Sequence, residues 1–422
     1  MLTRDNGILQ RASEAKQQTE QAKEKEGVEL ASTAAQIGEN GYQKLNQSNL
    51  QNAIDSQFGI GKAIVSDNRD GTFTVSFMDS RRDYNITSNG VQNGVDWNIA
   101  MANAAAPESQ DEERNKGVIG IGTDGKPVDM DLWQYTLLED GTFCLNDEKS
   151  QGNITNISDI TPGYIGSLDE NGELLTKIPQ YISVNGNEFK AVTQMQHTFF
   201  FMTELQRIEK IPITVTDLRG TFYNCSNLRE YGSLPNNVTT MEGTFRNCAE
   251  LLEIVNIPLQ LIDMQNAFLG CTKIKTCPQI PDSVVNMQGT FKSCESLQSI
   301  TNLPLCVVNM HTTFQDCKLL KSIEKIPNSV EILYGTFFGC INLEYVGIIP
   351  ENVTDLGVTF WDCIKLQGTL TINSKNITNF SSCFHNTSTT EGIQLIVIGN
   401  CPQLNDIIAT KSNNSNIFNG NI

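Results

Sequence analysis

Seven cysteines, Cys225, Cys248, Cys271, Cys294, Cys317, Cys340 and Cys363, recur every 23 residues. A thiol can serve as a metal ligand, a disulfide partner, a nucleophile or a small core side chain. Spacing decides among these. A zinc site draws on close pairs such as C-x-x-C, and the chain has none. His197, His311 and His385 do not stand at ligand spacing. Cysteines at the same place in stacked strands lie about 4.8 Å apart with parallel Cβ vectors, which is poor disulfide geometry. The spacing therefore predicts a ladder of buried free thiols.

Other groups that could do chemistry fare less well. Gly120, Gly122 and Gly125 form G-x-G-x-x-G with Lys126 behind them. A phosphate loop needs a strand and then a helix whose N-terminal amides face the anion. Here Pro127 and a strand-like run follow, and Asp124-Gly125 is a hairpin signal. The three histidines all lie close to repeat phenylalanines, where packing or surface roles outweigh that of a base. Carboxylates are plentiful but no pair stands out for glycoside hydrolysis. No catalytic, cofactor-binding or metal-binding residue is assigned, and the chain is expected not to be an enzyme. N-x-S/T sequences at Asn85, Asn153, Asn237, Asn352 and Asn376 mark loops.

The elements that carry the cysteines are set by a repeat. Phe199, Phe222, Phe245, Phe268, Phe291, Phe314, Phe337 and Phe360 are spaced by 23 residues. Six residues after each stands Leu or Ile, and thirteen after stands proline in seven copies, Pro212 to Pro350. Valine or leucine and then leucine or methionine follow, Val215 and Leu218 being the first such pair. The apolar offsets are near 0, 3, 6, 9, 12, 16 and 19. Neither a helical nor a strand period fits them. They fit a coil that turns a side chain inward about every third residue, with stacked turns burying one another's edges. Proline suits the corner after a strand, where no ladder donor is needed. Eight turns would make a rod of roughly 40 Å.

The pattern F-x-x-C-x-x-L-x-x-I-x-x-(I/L)-P-x-x-V-x-x-M resembles the BspA-like leucine-rich repeats of bacterial surface proteins. The resemblance covers residues 185–390. It implies a curved solenoid with short parallel strands on one face, associated with adhesion and with host or matrix binding. The last copy, "LTINSKNITNFSSCFHNT", lacks the proline, gains a residue and puts Thr387 where cysteine is expected. It is read as the run-out to a cap, with "IQLIVIG" (393–399) as a final strand and a polar tail behind it.

Before the repeat, residues 4–41 read as one long helix, capped by Asp5 or Asn6 and ended by Gly38 or Gly41. A second helix, 49–59, puts Leu50, Ile54 and Phe58 on one face. "KAIVSDN", "TFTVSFMD" and "RRDYNIT" read as strands, with Phe73, Val75 and Phe77 alternating inward. "VDWNIAMANAAA" reads as a third helix, and "PESQDEERNKG" as an acidic linker. A long helix followed by a small antiparallel sheet resembles a type IV pilin or pseudopilin. "MLTRDNGILQRASEAK" is similar to the segment after the membrane helix in prepilin-like proteins of Gram-positive gut bacteria. That likeness covers residues 1 to about 110. It implies a soluble ectodomain whose leader and apolar helix half are absent here.

The expected organisation is α+β. A pilin-like helix with an antiparallel sheet fills 1–115, and a β-rich spacer and N-cap fills 116–184. Leucine-rich repeats fill 185–390, and a cap with a polar tail fills 391–422. Acidity divides along the same line, with a net charge of −14 before residue 176 and −4 after it. The overall −18 argues against nucleic acid, which needs a basic face. No run of ~18 apolar residues is present, so membrane contact is expected only through a segment upstream of this sequence.

Between the constant positions, the residues seven and eight after each phenylalanine vary. They are Arg229 and Glu230, Leu252 and Glu253, Lys275 and Thr276, Gln298 and Ser299, Lys321 and Ser322, and Glu344 and Tyr345. A constant core with varied exposed positions is how a repeat array presents a binding face. Tyr345 and Trp361 are the expected aromatic anchors. The partner expected is a protein or glycan on host, matrix or neighbouring cells, met outside the cell by a surface-anchored chain.

Overall fold

The computed structural model describes residues 2–38, 41–42, 44–59, 62–68, 71–77, 79–88, 90–105, 118–145, 178–184, 188–374, 376–387 and 393–398. The chain divides into two compact units, Met1–Glu113 with Ile119–Val128, and Arg114–Val118 with Asp129–Ile422.

In the first unit, helix α1 (Leu2–Gln36) is rich in Ala, Glu, Lys and Gln, all strong helix formers. It starts upstream of the expected caps, so Asp5 and Asn6 lie within its first turns. It ends at Gln36, and Gly38 and Gly41 pair in the short strands β1 (Ile37–Gly38) and β2 (Gly41–Tyr42). Helix α2 (Gln47–Phe58) opens with a reciprocal cap: Asn46 Oδ1 accepts from Asn49 N at 2.9 Å, and Asn49 Oδ1 accepts from Asn46 N at 2.8 Å. Gly27 lets the helices close, because a Cβ there would lie 2.3 Å from the Phe58 ring.

Four antiparallel strands follow in simple order: β3 (Ala63–Asp67), β4 (Phe73–Phe77), β5 (Arg82–Thr87) and β6 (Gly90–Asp96). Helix α3 (Trp97–Ala105) starts where Asp96 Oδ1 accepts from Asn98 N and Ile99 N. Strand β6 had no sequence expectation, because "GVQNGVD" carries little apolar alternation. The core joins Val28, Ala31 and Ala35 of α1 to Leu50 and Ile54 of α2 and to Val65, Phe73, Val75, Phe77 and Tyr84 of the sheet. One charged network ties α1 down. Arg82 meets Glu24 at 3.4 Å and Asp96 at 3.3 Å, and Tyr84 Oη donates to Glu24 at 2.9 Å. The segment with Gly120, Gly122 and Gly125 is a hairpin, β7 (Val118–Gly122) and β8 (Pro127–Val128). The acidic linker, residues 163–175 and the polar tail lie outside the described residues.

In the second unit, β9 (Thr136–Leu137) pairs antiparallel with β10 (Phe143–Cys144), and β10 runs parallel to β12 (Lys190–Gln194). β12 also pairs antiparallel with β11 (Pro179–Val184). The coil begins there. Parallel bridges run Gln194–Asp217–Thr240–Asp263–Asn286–Asn309–Ile332–Asp355–Asn379. Two-residue strands lie elsewhere in six of the turns: β13 (Arg207–Ile208), β14 (Glu230–Tyr231), β15 (Thr276–Cys277), β16 (Ser299–Ile300), β17 (Ser322–Ile323) and β18 (Tyr345–Val346). The last full pair is β19 (Gly368–Ile372) with β20 (Ile393–Val397), parallel over five residues.

The phenylalanines are fully buried and stacked ring on ring. Centroids lie 5.3 Å apart for Phe199–Phe222, 5.8 Å for Phe268–Phe291 and 5.6 Å for Phe337–Phe360. The extra residue in the last copy is absorbed between Phe360 and Phe384, which still stack at 5.5 Å.

Candidate ligand-binding face

Each turn is held open by two residues with positive φ, one two before the phenylalanine and one two after. The second of these columns holds Phe201, Asn224, Asn247, Gly270, Ser293, Asp316, Gly339, Asp362 and Asn386. Asn, Asp and Gly tolerate this region best. The conformation lets Phe point inward while its two neighbours reverse the chain. The buried threonine before Phe then reaches backbone carbonyls of the preceding turn. Thr244 Oγ1 donates to Leu218 O, Thr313 Oγ1 to Met287 O and Thr336 Oγ1 to Met310 O, at 2.7–2.8 Å. Ala267 breaks this column. A third column places an Asp or Asn side chain on the amide two residues on, as with Asp263 and Gln265 N (2.8 Å) or Asn309 and His311 N (3.0 Å). None of these columns entered the sequence reading. Laid on 23-residue rows, the threonines form a column of nearly one type, and the positive-φ and Asp/Asn positions form columns of mostly small polar residues and glycine.

The thiols serve the same end. Cys248 Sγ donates to Phe222 O at 3.1 Å and Cys340 Sγ to Phe314 O at 3.0 Å. Thr387 does the same with its hydroxyl, to Phe360 O at 2.7 Å, so the departure from cysteine keeps the bond. Burial pushes the Cys225 thiol up to about 12 and the thiols of Cys248, Cys271, Cys317 and Cys363 well above the ordinary range. A thiol held protonated is a poor nucleophile and a poor ligand. All eleven cysteines among the described residues are free, and only Cys306 is exposed. No group of three His, Cys, Asp or Glu among the described residues could hold a metal. No helix among them is long and apolar enough to cross a membrane.

The expected binding residues fall on the β13–β18 side. Arg229, Glu230, Leu252, Glu253, Lys275, Thr276, Gln298, Ser299, Lys321, Glu344 and Tyr345 are exposed, and Ser322 is half-buried. Backbone bonds run from turn to turn beneath them, Arg229 N to Gln206 O at 2.9 Å and Glu344 N to Lys321 O at 2.8 Å. The face is not uniform. Its early turns carry ion pairs such as Arg207–Glu230 at 3.7 Å, and Lys273 bonds Glu250 one turn back, which holds that carboxyl below its usual range. Further on, Lys318 meets Glu295 at 2.7 Å.

Trp361 is placed elsewhere. It follows Phe360, in the column of Phe200, Tyr223 and Phe338. Its indole lies between the Phe338 ring (5.7 Å) and the His385 imidazole (4.0 Å). Tyr345 and Trp361 are therefore not one aromatic patch. The same outer column stacks Phe200 on Tyr223 at 4.9 Å and sets the Arg246 guanidinium 5.2 Å from the Tyr223 ring.

Stacked parallel turns around one continuous apolar core define a leucine-rich-repeat solenoid. Residues 181–276 and 288–406 match the family described as the BspA type leucine rich repeat region, in six copies. The chain belongs to that family. Among solved structures it is similar to a leucine-rich repeat protein from Bacteroides ovatus (23% identity, 63% of this chain and 70% of that one, TM-score 0.44). It is also similar to a leucine-rich repeat protein of T. pallidum (22%, 50% and 88%, TM-score 0.39) and a leucine-rich cell surface protein from Faecalibacterium prausnitzii (19%, 65% and 95%, TM-score 0.35). No curated protein matches the chain.

Proposed function

We propose that this is a non-enzymatic, surface-anchored ligand-binding protein of adhesive type, which presents the β13–β18 face of its repeats on a pilin-like base. The observation that carries the reading is the contrast within each turn. The inward positions repeat one set of side chains, while the residues seven and eight after Phe change from turn to turn and are exposed or half-buried. The ligand is a protein or glycan on host cells, matrix or neighbouring cells. The test applies the full chain to immobilised matrix proteins, epithelial cells and glycans. Retention that Arg229→Ala, Lys275→Ala and Tyr345→Ala reduce supports the reading. Retention that none of them changes moves the site off this face, and no retention sinks it.

A second reading is a structural minor pilin that assembles into a filament. It is favoured by one observation, a 35-residue helix ahead of a four-stranded antiparallel sheet. Reading the gene upstream of Met1 bears on both. An in-frame apolar segment of ~20 residues behind a basic leader is what the pilin-like base requires, and its absence removes that part of the proposal.

A further inference from the structure

Tyr345 differs from the other surface aromatics of the repeat in what lies beside it. Along its column the preceding turn offers Ser322, in register with it, and the following turn offers Gly368. The Gln367 N–H donates to Glu344 O at 3.2 Å, so the Gly368 turn adjoins directly. A Cβ built on Gly368 would find no atom within 4 Å. Tyr345 is 43% exposed, and no other ring packs on it among the described residues. Trp361, by contrast, has a ring on each side.

The surroundings of this uncovered ring are polar and carry charges of both signs, and the Glu324 carboxylate accepts from Ser322 Oγ at 2.8 Å one turn back. Lys321 and Glu344 flank it in the adjoining column, both exposed, and neither is ion-paired among the described residues. Ser299, Gln298 and Gln367 are exposed nearby. A hydrogen-bond donor and an acceptor of opposite charge beside an open aromatic face suit a ring that is apolar on its face and hydroxylated at its rim. A pyranose is such a ring. Its axial C–H bonds carry slight positive charge and meet the negative face of the aromatic, while its equatorial hydroxyls both accept and donate. An anionic ligand would face the Glu344 carboxylate, and a cationic one the Lys321 ammonium.

We propose that Tyr345, with the space left by Gly368 and the side chains of Lys321 and Glu344, forms a saccharide subsite for a neutral hexopyranose, either free or as one residue of a glycan. The proposal rests on the β13–β18 face being the binding face. The competing occupant is a peptide segment, which would also use the exposed side chain of Ile348, 56% accessible three residues on.

The experiment probes the full chain on an array of neutral gluco-, galacto- and manno-oligosaccharides, with matrix proteins printed alongside. Retention of at least one neutral oligosaccharide is expected, weakened tenfold or more by Tyr345→Ala and by Gly368→Asn. Asparagine tolerates the positive φ of 77° and fills the space, so the second variant blocks the site with the fold kept. Trp361→Ala and Ile348→Ser are expected to leave saccharide binding within twofold. Binding to printed protein alone, lost with Ile348→Ser, overturns the saccharide subsite and leaves the binding face standing. Saccharide binding that survives both Tyr345→Ala and Gly368→Asn overturns the subsite. Binding to nothing printed overturns both.

Discussion

The two units hold themselves together in different ways. In the first, each problem is solved once. A single Arg82 bridges Glu24 and Asp96, one buried amide, Gln51, bonds the backbone of Ala63 and Val65, and one glycine, Gly27, admits Phe58. In the second, one solution recurs: Phe on Phe, thiol to carbonyl and threonine to carbonyl, turn after turn. A perturbation that acts on a residue type is therefore multiplied in the repeats and felt once in the first unit.

Alkaline pH should separate the units most sharply. Burial raises nine thiols of the repeat region, from Cys225 to Cys383. A raised thiol contributes its full stability below the unfolded value near 8.5 and loses it as pH rises above that. One unit above, each forfeits roughly 1 kcal/mol, so nine together forfeit on the order of 10, comparable to a domain's whole stability. The repeat unit is expected to unfold between pH 9 and 10. In the first unit Tyr84 is the residue pushed the same way, by its burial and by Glu24, and it matters only above about pH 10. Melting curves at pH 7, 8.5 and 9.5, followed by hydrogen exchange in each unit, check this. A repeat unit as stable at 9.5 as at 7 breaks the argument.

Truncating one rung is the next largest effect. Phe291→Ala should cost about 4 kcal/mol, since the rings on either side cannot collapse into the gap. Exchange should rise around turns 268–314 and leave the first unit untouched. Arg82→Met should cost about 3 kcal/mol, because it removes the cation shared by two carboxylates that are about four-fifths buried. That loss should appear in the first unit alone, in a denaturant titration. Smallest is a gain. Ala267→Thr restores the missing rung, where by register its hydroxyl meets the Met241 and Met264 carbonyls. It should stabilise the repeat by about 1 kcal/mol. A loss there would mean that the pocket at this turn has closed around the alanine.

The same contrast explains what could be read in advance. The phenylalanine, cysteine and proline columns stand out in the linear chain because seven or eight turns repeat them, and the buried thiols follow from their spacing. Strand β6 and the start of α1 occur once and have no second copy to average over, so composition alone had to carry them. The separation of Tyr345 from Trp361 depends on what lies one turn away. The rows above and below Trp361 hold Phe338 and His385, and those beside Tyr345 hold Ser322 and Gly368. That relation is visible in the sequence only after the turns are laid over one another, and it decides which ring has a free face.

The inter-turn hydrogen bonds have a mechanical consequence. Phe222 N donates to Thr244 O, Phe245 N to Ala267 O and Phe268 N to Thr290 O, each from one turn to the next. Tension applied between the first and last turns would load these rows in series. Each turn would then part from its neighbour on its own, releasing 23 residues of chain and leaving the rest stacked. Such a coil would pay out length at nearly constant force and rewind turn by turn as the load falls.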